Sequence, residues 1–372
     1  MELYIGLFLF IMVLSFFDFI NINESRKKSL ILFTSLVLVI LASVRWQTGT
    51  DWDMYFNLFN DNNTIDDYWR IANDVQAQEF GFGILNWLIK TLFDDYNILL
   101  LCIAMIIVMI KYNWYIKYMP FPLVAMFINF STYLGDIFFV RQTLAIAITI
   151  FAFRYIVKKD LSRFLFFVCI ASSIHTSALI FIPAYWIYYI RMSAKKIFTL
   201  LILCISINVT NVNMYILNWF MDTFPSDMGK IVQKVWAYYL LNQSGENHGN
   251  VMDDSSRIFL AYIRRIMLIP IYVYCTKFIS ECNKFYLGCL NLVIFGHILF
   301  FLTSIIAMDF AGRIAAYYYI YEVLLLTSLL ACCKNKFNRI AIYCLIIAYC
   351  FSKYIYVFYN LGTAYIPYMH VL

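Results

Sequence analysis

The stretch "SLILFTSLVLVILASVRWQTGTD", Ser29 to Asp51, decides the fold. Residues 29–44 carry no charge and show no strand-like alternation, so they read as one apolar helix. The run then meets Arg45, Gln47, Thr48, Gly49, Thr50 and Asp51, the signature of a chain leaving hydrocarbon. Such runs recur along all 372 residues, of which 63% are hydrophobic and only 13% charged, with a mean hydropathy of +0.74. A soluble domain carries about 25% charged residues. The composition therefore predicts an all-α polytopic membrane protein, a single integral-membrane domain over 1–372. A membrane barrel would show short alternating segments instead.

Hydropathy marks about twelve spans, near 3–20, 29–44, 96–116, 119–135, 137–157, 161–174, 176–190, 197–214, 258–276, 285–307, 311–331 and 338–357. The opening "MELYIGLFLFIMVLSFF" lacks a basic lead and a small-residue cleavage site, so it reads as the first span and not a removed signal peptide. Placing "NINESRKKS" in the cytoplasm puts Arg26, Lys27, Lys28, Lys111, Lys117, Arg154, Lys158, Lys159, Arg163, Arg191, Lys195, Lys196, Lys277, Lys284, Lys334, Lys336 and Arg339 on that side. These are 17 of the 28 basic residues, all in short loops, as the positive-inside rule requires. Both termini then lie outside.

Two outer-face regions follow. The 45–95 loop includes "FGFGILNWLIKTLF", Phe80 to Phe93, which is apolar but short and reads as re-entrant or interfacial. The large 213–257 loop includes an interfacial helix over Asp227–Leu241 and a polar lid, "NQSGENHGNVMDD". Residues 161–190 must supply two crossings from about 30 residues, as short tilted helices or as a hairpin that does not span fully. The net charge of +6 is scattered in these loops and leaves no nucleic-acid footprint. The ten cysteines lie in spans or at cytoplasmic ends with no disulfide or metal spacing, and no metal or cofactor is expected.

A few ionisable residues stand at or just inside the outer surface: Arg45, Arg141, His175 and Arg313, with Arg264 and Arg265 deeper. An arginine within a span costs at least about 2.5–3.5 kcal/mol, so it has a partner or a task. Either each snorkels or pairs with Asp51, Asp136 or Asp309, or the guanidiniums converge on a phosphorylated or carboxylated ligand. His175 is a hydrogen-bonded core histidine, or a base if the arginines surround it. His248, His297 and His370 share no ligand spacing with it. Gly49 sets a tight turn, and Thr50 and Asp51 are placed to cap a helix "DWDMYFNLF"; alternatively Asp51 orients Arg45 or touches a sugar.

The motif "VRWQTGTDWDMYF" resembles the opening motif of the EpsG family, the Wzy-like polymerases of bacterial surface polysaccharides. "QEFGFGILNWLIK", "VRQTLAIAITIFAF", "SSIHTSALIFIPAYW", "VWAYYL", "GRIAAYYYIYE" and "YIPYMHVL" follow in the family's order. Trp52 stands where the family pattern has tyrosine and keeps the aromatic character.

The resemblance implies an inverting GT-C-like glycosyltransferase, multi-pass in the bacterial inner membrane, with its site on the periplasmic face. Such an enzyme moves a glycan from an undecaprenyl-diphosphate carrier onto a lipid-linked repeat unit of O-antigen, capsule or exopolysaccharide. Its partners are those lipid-linked donors and acceptors, membrane lipids and a chain-length regulator. Carried over residue by residue, the resemblance implies Arg45, Gly49, Thr50, Asp51, Tyr55, Glu79, Arg141, Gln142, His175, Ser177, Arg313 and Tyr317 as site residues. His175, Arg141, Arg313 and Asp51 are the catalytic candidates and the rest bind diphosphate or glycan. For the base, His175 comes first and Asp51 or Glu79 second. The rival readings are a flippase for lipid-linked oligosaccharides and an O-antigen ligase; a membrane-bound acyltransferase would need a histidine motif that is missing.

Overall fold

The computed structural model describes residues 1–20, 22–68, 79–132, 134, 138, 140–225, 232–233, 236–237, 240, 252–279, 283–304 and 306–371. Nearly all of them are helical, and the chain divides into two compact units, Met1–Ile182 with Val323–Leu372, and Pro183–Glu322.

The first unit is built from α1 (Glu2–Ser15), α2 (Glu24–Val44), α3 (Trp52–Asp61), α4 (Phe80–Phe93), α5 (Tyr96–Tyr118), α6 (Pro122–Thr132), α7 (Val140–Val157) and α8 (Leu161–Ile174), closed by α15 (Lys336–Tyr365). Polar side chains start several of these helices. Asn23, Asp95, Asp160 and Asn335 each accept a backbone N–H from the first turn that follows. α6 is buried from Leu123 through Ser131 and forms the centre of the unit, packed by α1 and α15. Its start is capped from another part of the chain: Asp18 Oδ2 accepts from Leu123 N (2.7 Å) and Val124 N (2.9 Å). α5 packs on α2 and α7, and α7 on α8.

The second unit holds α9 (Ala194–Val209), α10 (Val212–Thr223), α11 (Asp254–Ile279), α12 (Tyr286–Thr303) and α13 (Met308–Tyr319); α14 (Glu322–Cys332) begins at its edge. α12 is 67% buried against 22% for α11, so α12 is the central helix and α11 an outer one. α9 and α10 form one bent run, turned by 64° at Thr210–Asn211, where Asn211 is left-handed (φ +56°). The break is held by polar side chains. Asn208 donates to Tyr262 and Ser304, and Asn213 donates to Asn208 Oδ1 (3.2 Å) and Leu302 O (3.0 Å).

Among the described residues six helices are long and apolar enough to cross a membrane, or up to eight if α9–α10 and α13–α14 are each one span. The twelve expected spans correspond to helical stretches, but several are short: α1 has 14 residues, α6 has 11 and α8 has 14. Fourteen residues rise only ~21 Å, short of the ~30 Å of hydrocarbon. Sliding-window hydropathy counts apolar residues and cannot see where a helix stops. In the 161–190 segment α8 ends at Ile174 and a 3-10 turn (Thr176–Phe181) follows, so neither part has the length of a full crossing. α4 is a short helix where a short interfacial or re-entrant one was expected. The start of the 213–257 loop is helix α10. Of the expected Asp227–Leu241 helix, residues 232–233, 236–237 and 240 are described and are helical; its other residues and most of the polar lid lie outside the described residues. Lys111 is not in a loop. It is buried in α5, 4% exposed.

Candidate functional site

The Val44–Thr50 turn is held by the chain's far end. Arg45 and Trp46 (β1) pair antiparallel with His370 and Met369 (β2). Gly49 N donates to Ala364 O (2.8 Å), Val371 N to Val44 O (3.0 Å) and Met369 N to Thr48 Oγ1 (3.0 Å). Tyr368 OH donates to Leu41 O. Burial pushes that phenol up to about 12, opposed by the Arg45 charge, so it stays protonated as a donor. The first and last sequence motifs are thus two halves of one structure.

Arg45 sits inside it, 1% exposed. Its Nη1 donates to Phe138 O (3.0 Å) and Thr48 O (3.3 Å), and its charge lies over the Phe138 ring (5.7 Å). Gly49 (φ +115°) passes so close that a Cβ there would stand 3.1 Å from Nη1. Asp51 is in the electrostatic neighbourhood of Arg45 and precedes α3, but it makes no side-chain cap to that helix. The capping expected of Asp51 is therefore not observed; α3 starts at Trp52, and its first turn is held by burial of Trp52 and Tyr55. Thr50 is exposed.

From α3 the geometry leads to a second arginine. Tyr55, buried on α3, accepts from Arg141 Nε (2.8 Å), and Arg141 lies over the Tyr55 and Phe82 rings (5.2 and 5.9 Å). Arg141 Nη1 pairs with Glu79 Oε2 (3.0 Å), the two side chains being 17% and 11% exposed. Glu79 Oε1 accepts from Thr176 N (3.0 Å) and Thr176 Oγ1 (2.8 Å). Thr176 follows His175, which ends α8 and whose Nδ1 is hydrogen-bonded to Ser177 Oγ. Among the described residues Arg141 Nη2 donates to none. Gln142 and Ser177 are half-buried beside this chain of contacts.

Tyr55, Glu79, Arg141 and the 175–177 turn come from four separate motifs and meet in one network. Arg45 belongs to the neighbouring latch, engaged by backbone carbonyls. Thr176 and Thr48 escaped sequence reading although both lie inside quoted motifs. A hydroxyl inside a motif carries no sign of which oxygen it will meet.

In the second unit Arg313 is exposed on α13 and Tyr317 is fully buried. Asp309, offered by the sequence as an arginine partner, pairs with Arg257. Arg265 is buried within α11. Its Nε donates to Tyr319 OH (3.0 Å), its Nη1 to Ala261 O (2.8 Å), and it stacks on Phe300 at 3.5 Å. It serves internal packing rather than a surface. Asp136 lies outside the described residues.

Fold and site together define a helical, polytopic membrane protein with a part-buried arginine–carboxylate network joined to a histidine turn. The chain belongs to the EpsG family, whose model matches residues 28–370, and this is a family of Wzy-like polysaccharide polymerases. Neither curated proteins nor solved structures give a match.

Proposed function

We propose that the chain is an inverting glycosyltransferase of GT-C-like type. In this reading it transfers a growing glycan from an undecaprenyl-diphosphate carrier onto a lipid-linked repeat unit, at the outer face of the bacterial cytoplasmic membrane. The observation that supports this most is the meeting of Tyr55, Glu79, Arg141 and Thr176, from four motifs, in one network beside His175. The acceptor hydroxyl oxygen attacks the anomeric carbon while the bond from that carbon to the diphosphate oxygen breaks. The electron pair leaves with the diphosphate, which gains negative charge. Arg141, fixed through Nε and Nη1, meets that charge with Nη2, a preorganised donor needing no reorganisation during reaction. His175 takes the hydroxyl proton through Nε2, in the tautomer whose Nδ1–H donates to Ser177 Oγ. Glu79 is the weaker base, because its carboxylate is paired with Arg141 and accepts from Thr176. Arg313 is assigned a separate phosphate contact on its own unit, and Gln142, Thr50 and Asp51 contacts to glycan. Arg45 and Gly49 hold the turn that carries these two.

The decisive experiment is a purified reaction with a defined lipid-linked repeat, read by product ladder and anomeric configuration. Ladders of inverted linkage support the reading; single repeats only, with folded protein, overturn it. A transporter of lipid-linked oligosaccharides is the second reading, favoured by the broken helix at Thr210–Asn211, since transporters build sites at such breaks. It wins if deletion traps lipid-linked repeats on the cytoplasmic face. Polymer transferred to a core acceptor instead of another repeat points to a ligase.

A further inference from the structure

We infer that Glu79 and Thr176 are positioning residues, which tie the histidine-bearing turn and Arg141 to opposite oxygens of one carboxylate and so fix their register. The inference rests on the polymerase reading above, in which Thr176 has no chemical step and Glu79 ranks only as a weaker base than His175.

The sequence places Glu79 directly before α4, the position from which a side chain usually accepts from its own helix. Glu79 makes no such cap. Its Oε1 accepts both donors of Thr176, the backbone N–H and the hydroxyl, and its Oε2 receives Arg141. Three charge-assisted bonds on one carboxylate leave it little rotational freedom. Because His175 is the next residue to Thr176, the tether acts on the backbone that carries the ring. At the other end Arg141 is held in a second direction by Tyr55 OH (2.8 Å), so bonds at Nε and Nη1 together orient the guanidinium plane.

Glycine makes this approach possible. A Cβ on Gly81 would lie 2.3 Å from Ser173 Oγ and 2.8 Å from the Ser173 carbonyl oxygen, so the first turn of α4 rests directly on the last turn of α8. That close contact brings the residue preceding α4 to the turn that follows α8. The sequence shows "QEFGFG" and "SSIHTS" as separate motifs; the backbone contact makes them one device. A plain structural ion pair would have no need of the second, neutral partner on Oε1, and its loss would lower stability without a selective effect on turnover.

The test uses the full-length protein in lipid nanodiscs with a defined lipid-linked repeat. Thr176→Val keeps the N–H and removes the hydroxyl bond, and Thr176→Ser restores it. A misplacement of catalytic groups on the ångström scale costs up to ~100-fold in rate. Thr176→Val is expected to lower kcat about 10-fold and Glu79→Gln about 100-fold, each with KM within about threefold, while Thr176→Ser stays within about threefold of the parent. Parental kcat in Thr176→Val, or a Thr176→Ser variant as impaired as Thr176→Val, overturns the inference. Thermal unfolding of Glu79→Gln, Thr176→Val and the double variant reads the tether without substrate. Non-additive Tm shifts support it and additive shifts overturn it. Full ladders from Arg141→Ala would defeat the polymerase site while the unfolding cycle still decides the tether, so the two failures are separable.

Discussion

Arg141 illustrates what one residue does here that its charge alone would not. Its guanidinium is fixed through Nε and Nη1, and the proposed reaction gives Nη2 to the leaving diphosphate, so Arg141→Ala is expected to reduce chain growth by ~10²–10³-fold, leaving single repeats on the lipid. Arg141→Lys should recover little, because an ammonium cannot hold Tyr55 and Glu79 and still present a donor in the same plane. A product ladder from purified protein checks both, and long ladders from either variant would remove Arg141 from the chemistry. Gly49 makes the complementary case. At φ +115°, with Arg45 Nη1 at 3.1 Å from a would-be Cβ, Gly49→Ala should destabilise the fold by about 1–3 kcal/mol. The expected readout is a lower Tm in detergent; an unchanged Tm would mean that the turn relaxes freely. Arg45 and Arg141 stood out in the sequence as charged positions following apolar runs. Their roles did not, because buried Arg45 and part-buried Arg141 differ only in what surrounds them.

Among elements, the short C-terminal strand has influence beyond its two residues. Met369 and His370 complete the ladder with Arg45 and Trp46, and Met369 N holds Thr48 Oγ1. Removal of residues 367–372 should therefore lower both Tm and turnover, although no residue removed belongs to the Arg141 network; turnover equal to the parent's would show the latch to be dispensable. In the second unit Asn291 on α12 donates to the Ile187 and Ile190 carbonyls, which close the irregular segment after Ala184–Ile187. Asn291→Leu removes the donor to Ile190 O and leaves Ile187 O only the Ile190 N–H, so about 1–3 kcal/mol of stability should be lost. Urea or thermal unfolding in detergent gives the comparison, and a loss well under that range would point to replacement by water. Helix existence was legible at this scale because apolar length announces it. Helix ends were not: the stop of α8 at Ile174 and the break at Thr210–Asn211 arise from packing and side-chain bonds contributed by distant residues.

For the whole molecule, the distribution of Lys and Arg predicts sidedness. In a cysteine-free background an impermeant maleimide should label Asp61→Cys from outside intact cells and fail to label Lys336→Cys, both exposed positions at opposite signs of the charge count. The reverse pattern would turn the protein over and put the Arg141 network on the cytoplasmic side. Membrane class, helical character and family were determined by the sequence itself, because apolar content, the scarcity of charge and the order of motifs are properties of the chain before it folds. Which of those motifs touch was decided only by tertiary structure. Tyr55, Glu79, Arg141 and Thr176 are joined by hydrogen bonds across 121 positions of chain, and Arg45 meets the strand at Met369–His370 near its end. Hydrophobic burial is non-directional and so can be read from composition, whereas a hydrogen bond needs a partner at about 3 Å and a defined angle. That partner is chosen by how the helices pack.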